Sequence, residues 1–148
     1  MQTRFLKADA PGAVEAVAAI LQDGGLVGIP TETVYGLAAN ALDGTAVAKI
    51  FTAKGRPMDN PLIVHISHFE QIYELVREVP ESAKKLADRF WPGPLTIILP
   101  KSAQIPDEVS AGLDTVAVRF PYHPVARAVI DAAGVPLAAP SANLSRCV

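Results

Sequence analysis

The chain has 148 residues, half of them hydrophobic and 19% charged, which fits one domain with ample apolar surface and excludes disorder as the main state. Its 13 basic and 15 acidic residues give a net charge of −2 and a pI near 5.9, which excludes a uniformly basic nucleic-acid binder and leaves a local basic patch open. One cysteine, Cys147, excludes an intrachain disulfide; no apolar run nears the ~20 residues of a membrane helix, and with no signal-like segment after Met1 the expectation is a cytoplasmic protein without a membrane partner.

The elements follow in chain order. Pro11 and the spacing of Val14, Val17, Ala18 and Leu21 predict a helix over 10–23, stopped by Gly24 and Gly25. Leu26–Pro30 reads as a short buried strand. Residues 31–44, rich in Thr, Gly, Ala and Asn, read as irregular. Thr45–Lys54 is a helix that presents Val47, Ile50 and Phe51 on one face and ends at Gly55 and Pro57. Pro61–Ile66 is a strand. Ser67 and Glu70 have capping-box spacing before a helix over 68–78. A helix over 81–91 closes at Pro92–Gly93–Pro94. Strands are expected at 95–99 and 115–120 with no clear helix between them, so part of the sheet should be antiparallel. Pro124 opens a helix that Gly134 closes, and Val135–Ala139 is the last strand. The 13 prolines fall singly at element ends and read as punctuation within one domain. The alternation predicts a single α/β domain with a mixed sheet flanked by helices.

Chemistry-bearing residues cluster in three places. Pro30–Gly36 leaves a strand end with small and polar side chains, the usual ligand position in α/β sheets, although a capped turn with a packed tyrosine has the same composition. Lys54–Gly55–Arg56–Pro57 sets two cations about a glycine at a helix end. A helix C-terminus favours cations by itself, and a planar guanidinium beside a mobile ammonium also suits phosphate. Asn60 stands at the mouth of the next strand, and His65 interrupts an apolar run. Ser141 and Asn143, at i and i+2, can face one way in an extended segment or belong to an ordinary turn. No His, Cys, Asp and Glu set has metal-ligand spacing, so no protein metal site is expected.

In sequence order, PTETVYGLAANA, KGRPMDNPLIVHI, WPGPLTIIL, TVAVRFP and APSANLS resemble the YrdC/Sua5 family of threonylcarbamoyl-AMP synthases, from about residue 10 to 145. The resemblance implies a twisted open sheet with a concave basic cavity. It implies a nucleotidyltransferase that makes threonylcarbamoyl-AMP and pyrophosphate from L-threonine, bicarbonate and ATP for N6-threonylcarbamoyladenosine in tRNA. Mg²⁺ would arrive on the ATP. Lys54 and Arg56 would act on the phosphates as catalytic cations. Thr33, His65, Arg119 and Ala139 would surround threonine. Lys54, Arg56, Asn60, Thr115, Ser141 and Asn143 would hold the nucleotide. Partners would be RNA or tRNA and other proteins of that pathway. The family's pattern continues beyond Ser145 with elements that this chain is expected to lack. Competing expectations are an RNA-binding module without catalysis, a carbamoyl-adenylate-forming relative, and a shortened fold in which Val135–Ala139 is an unprotected sheet edge.

Overall fold

A sheet carries helices on both faces, and the residues it brings together come from distant parts of the chain. The computed structural model describes residues 11–30, 35–55 and 60–140. In chain order the elements are α1 (Ala13–Gln22), β1 (Val27–Pro30), β2 (Tyr35–Asn40), α2 (Gly44–Lys54), β3 (Ile63–His65), a 3-10 turn (Phe69–Gln71) running into α3 (Ile72–Leu75), α4 (Glu81–Phe90), β4 (Thr96–Pro100), α5 (Asp107–Ser110), β5 (Thr115–Arg119), α6 (Pro124–Ala133) and β6 (Leu137–Ala139). The sheet has six strands in the order β1-β2-β6-β3-β5-β4. Only β3 and β5 are parallel; the other four pairings are antiparallel, so the sheet is mixed and open, with β1 and β4 at its edges.

Alternation along the strands sends side chains to two faces. On one face Ala39, Val64, Ile97, Leu99, Val116, Val118 and Ala138 meet Val47, Ile50 and Phe51 of α2, Ile72 and Leu75 of α3, Ala83 and Ala87 of α4 and Val109 of α5. On the other face Ile29, Ala38, Leu137 and Ala139 pack under Ala18 and Leu21 of α1 and Ala126, Val129, Ile130 and Ala133 of α6. Gln22 Nε2 donates to Ala133 O at 2.9 Å and ties these two helices together. This second helix layer covers β1, β2 and β6. None of Ile63, His65, Thr96, Ile98, Thr115, Ala117 or Arg119, on the same face of β3, β5 and β4, belongs to its cluster.

Five expectations are corrected. The stretch 31–44 is not irregular throughout, because Tyr35–Asn40 is β2. Its Gly and Ala residues have weak strand propensity, but Ala38 and Ala39 are fully buried, one on each face, between β1 and β6. The helix over 68–78 shrinks to a 3-10 turn and a single α-turn, because Val76 leaves to bridge Lys101 and Arg77 N donates to Pro100 O at 3.0 Å, extending the sheet. Its start is capped by Gln71, whose Oε1 accepts from Ser67 N at 2.7 Å and His68 N at 2.9 Å, rather than by the Ser67–Glu70 pair. A one-turn helix, α5, stands between β4 and β5, too short to leave a periodic signal. Finally, the strand at 135–139 is no edge: β6 lies inside the sheet, between β2 and β3.

Candidate functional site

The open part of the second face is built in rows. Register pairs Thr96 of β4 with Arg119 of β5, Arg119 with His65 of β3, and His65 with Leu137 of β6. Residues in register point to the same face, so this row crosses four strands. The next row pairs Ile98 with Ala117, Ala117 with Ile63 and Ile63 with Ala139. Beyond it, Pro100 pairs with Thr115. The result is a polar row beside a row of alternating isoleucine and alanine. Along β5, Arg119 and Thr115 are separated by four residues, about 13 Å at strand rise.

The polar row is internally organised. Arg119 donates from Nε and Nη2 to Thr96 Oγ1, at 3.0 and 2.7 Å. His65 is buried, 3% exposed, with Nδ1 3.1 Å from Ile63 O. A carbonyl only accepts, so Nδ1 carries the hydrogen. Ile98 stands 63% exposed on the same face, a position where a core would place a covered side chain.

Strand directions gather further candidates at one end of the sheet. There β3 begins just after Asn60, β5 begins at Thr115, β6 ends at Ala139, and Pro30 pairs with Tyr35 at the β1–β2 end. Asn60 is exposed, Thr115 half-buried, and the Ala139 side chain is packed under α1 and α6. Leu62 N donates to Val109 O at 2.9 Å, holding the entry to β3 against α5. Helix α2 follows β2, packs on the opposite face of the sheet and has Lys54 as its last residue. Lys54 is half-buried in the last turn, and Gly55 follows at φ 64°, a left-handed conformation that suits glycine and turns the chain out of the helix. Of the sequence candidates, the structure therefore places Lys54, Asn60, His65, Thr115, Arg119 and Ala139. Thr33, Arg56, Ser141 and Asn143 lie outside the described residues. Thr96 was missed, because its role depends on the register between β4 and β5, which no local pattern records.

Two other places can be weighed against this one. A groove of about 450 Å³ lies between α4 and an aromatic wall of Phe69, Trp91 and Phe120, on the opposite side of the sheet. Its charged lining, Lys84 and Lys85 against Glu81 and Asp88, balances and does not suit a polyphosphate. Ser67, His68 and Asp131 are neighbours, but Ser67 Oγ donates to Asp131 Oδ1 and His68 Nε2 sits 2.9 Å from that same oxygen. The serine is not poised on the histidine, so this is no nucleophile relay. Among the described residues, no group of three or more His, Cys, Asp and Glu is placed to hold a metal ion, and no helix is long and apolar enough to cross a membrane.

Comparison with known proteins supplies context for this geometry. The Sua5/YciO/YrdC family model, described as "Telomere recombination", matches residues 19–147. A threonylcarbamoyl-AMP synthase of Pyrococcus abyssi is 58% identical over 132 residues, covering 89% of this chain and 39% of the relative. One from Bacillus subtilis is 56% identical over 133 residues, covering 89% of this chain and 38% of the relative. A crystal structure of P. abyssi Sua5 complexed with L-threonine superposes with a TM-score of 0.87 at 54% identity, over 95% of this chain and 40% of that one. The chain thus spans about two fifths of the length of these relatives.

Proposed function

This chain belongs to the Sua5/YciO/YrdC family, and from that premise we propose that it forms threonylcarbamoyl-AMP and pyrophosphate from L-threonine, bicarbonate and ATP. The observation that carries the reading is the row Thr96–Arg119–His65, with Ala117 in the row beside it. The Arg119 guanidinium offers charge-assisted hydrogen bonds to an amino-acid carboxylate. His65, beside Arg119 in the same row, stands near the threonine hydroxyl or ammonium in this reading. Ala117 leaves room for a small side chain above the sheet. Thr33, by resemblance, completes the threonine contacts.

The nucleotide is assigned to the other end of this face. Lys54 and Arg56 neutralise phosphate charge, and Asn60, Thr115, Ser141 and Asn143 hold the nucleotide beside them. ATP arrives as its Mg²⁺ complex, the ion carried on the phosphates. In the reaction the threonine amine adds to bicarbonate with loss of water. The resulting carbamate oxygen then attacks the α-phosphorus, and pyrophosphate leaves. These cations, amides and hydroxyls do the work of alignment and charge stabilisation, the main levers in phosphorus transfer. The ~13 Å between Arg119 and Thr115 suits a ligand with its carboxylate at one end and its phosphates at the other. The product would pass to tRNA through other proteins of the same modification pathway, in the cytoplasm.

The test is a single assay. The chain is mixed with ATP, Mg²⁺, bicarbonate and L-threonine, and threonine-dependent pyrophosphate release is measured. Release that requires threonine is expected. Salt-dependent RNA affinity with neither release nor ATP binding would replace this reading with an RNA-binding module. Release with a simple carbamoyl donor in place of threonine would replace it with carbamoyl-adenylate chemistry.

A further inference from the structure

We infer that Lys101 is a positioning residue for the nucleotide end of the site: through α5 it fixes the approach to β3 that carries Asn60, and so raises affinity for ATP without touching it. The inference rests on the reading of Asn60 as a nucleotide ligand. Asn60 lies outside the sheet ladder, because β3 begins only at Ile63. Its place is therefore set by the two residues after it. Pro61 restricts the backbone of the residue before it to extended conformations, which ties the orientation of Asn60 to that of Leu62. Leu62 is in turn held to α5: its side chain is buried, and its N–H donates to Val109 O at 2.9 Å.

A single turn of helix does not hold its own position, and α5 is fixed from two sides. On one side Val109 is buried in the core. On the other, Lys101 reaches both ends of the turn: Nζ donates to Asp107 Oδ1 and to Ser110 Oγ, each at 2.8 Å. The two arms differ in weight. Asp107 is 84% exposed, so that ion pair contributes little. Ser110 is 1% exposed, so losing the ammonium takes a charged donor from a buried hydroxyl. Lys101 is itself anchored, since its N–H donates to Asp114 O at 2.9 Å, just before β5. The chain leaves α5 through Ala111 at φ 55°, a left-handed conformation that a residue with a Cβ keeps only where its surroundings impose it. Gly112 N donates to Asp107 O at 3.2 Å and Leu113 N to Ser110 O at 3.0 Å. These bonds close the exit turn on the same two residues that Lys101 grips.

The experiment measures binding of ATP with Mg²⁺, and separately of L-threonine, by calorimetry. It compares the full chain with K101M, N60A, the double variant K101M/N60A and S110A. K101M keeps most of the side chain's length and loses the ammonium. It is expected to weaken ATP binding about fivefold, the worth of one hydrogen bond, and to leave L-threonine affinity unchanged. N60A should weaken ATP binding by a similar factor. The double variant should lose no more than N60A alone, because both substitutions act on one contact. S110A removes the acceptor on α5 with little change of shape; it should reproduce K101M, and it carries the test if K101M fails to fold. Wild-type ATP affinity in K101M or S110A overturns the inference. So do equal losses of ATP and L-threonine affinity, or losses that multiply in the double variant, since a general structural role gives both. If N60A weakens ATP binding while K101M does not, the reading of Asn60 stands and only the role of Lys101 falls. If the wild-type chain binds no ATP, or N60A binds it normally, both fall together.

Discussion

One face of the sheet is two different surfaces. Over β1, β2 and β6 it carries Ile29, Ala38, Leu137 and Ala139, sealed by α1 and α6. Over β3, β5 and β4 it carries His65, Thr115, Arg119 and Thr96, with Ile98 left 63% exposed. Strand alternation is the same in both halves, so alternation alone does not decide between core and site. What differs is the residue type at the outward positions and whether a described helix lies over them. The covered half contributes burial, and the open half contributes oriented polar groups on a frame that the opposite, fully packed face makes rigid.

Substitutions should separate the halves by the quantity they change. The largest loss of stability is expected in the covered half: Leu137→Ala, at a position with no exposure, should cost about 2–5 kcal/mol in denaturant unfolding. A cost below about 1 kcal/mol would mean that α1 and α6 do not seal this half as tightly as their packing indicates. In the open half, Arg119→Lys should reduce L-threonine affinity by about ten- to a hundredfold, through loss of the planar fork, while shifting stability by less than about 1 kcal/mol. Binding isotherms and melts on the same samples check both. Gly55→Ala should cost about 1 kcal/mol, since φ 64° at the α2 cap disfavours a Cβ, and circular dichroism melts report it. The smallest effect is expected at Ile98→Thr, within about 0.5 kcal/mol, because most of that side chain is already in water. A large destabilisation there would show that the open half is as dependent on apolar packing as the covered half.

The fold was legible in the sequence wherever local signals agreed. Pro124 and Gly134 bracket α6, and the runs at 95–99 and 115–120 became β4 and β5, each within a residue at its ends. The signals failed where neighbours decided the outcome. Half of β2 is glycine and alanine, and it became a strand because two other strands flank it. The helix expected over 68–78 stops at Leu75 because Val76 and Arg77 join the end of β4. The site was legible as residue types, and the family resemblance assembled them, but their arrangement was not. That His65, Arg119 and Thr96 form one row depends on the register of three strands far apart in sequence. No spacing within 148 residues encodes that directly.

The position of β6 has a consequence for how the molecule is made. It leaves the ribosome after every other described strand, yet it is the partner of both β2 and β3. Until residues 137–139 emerge, the nascent chain holds a β1–β2 hairpin and a β3-β5-β4 ribbon with no strand between them. Each has an edge there that accepts strands indiscriminately. Closure is therefore a late, long-range event of the kind that slows folding, and a nascent chain stalled before residue 137 would be a better client for a chaperone than one stalled after residue 140.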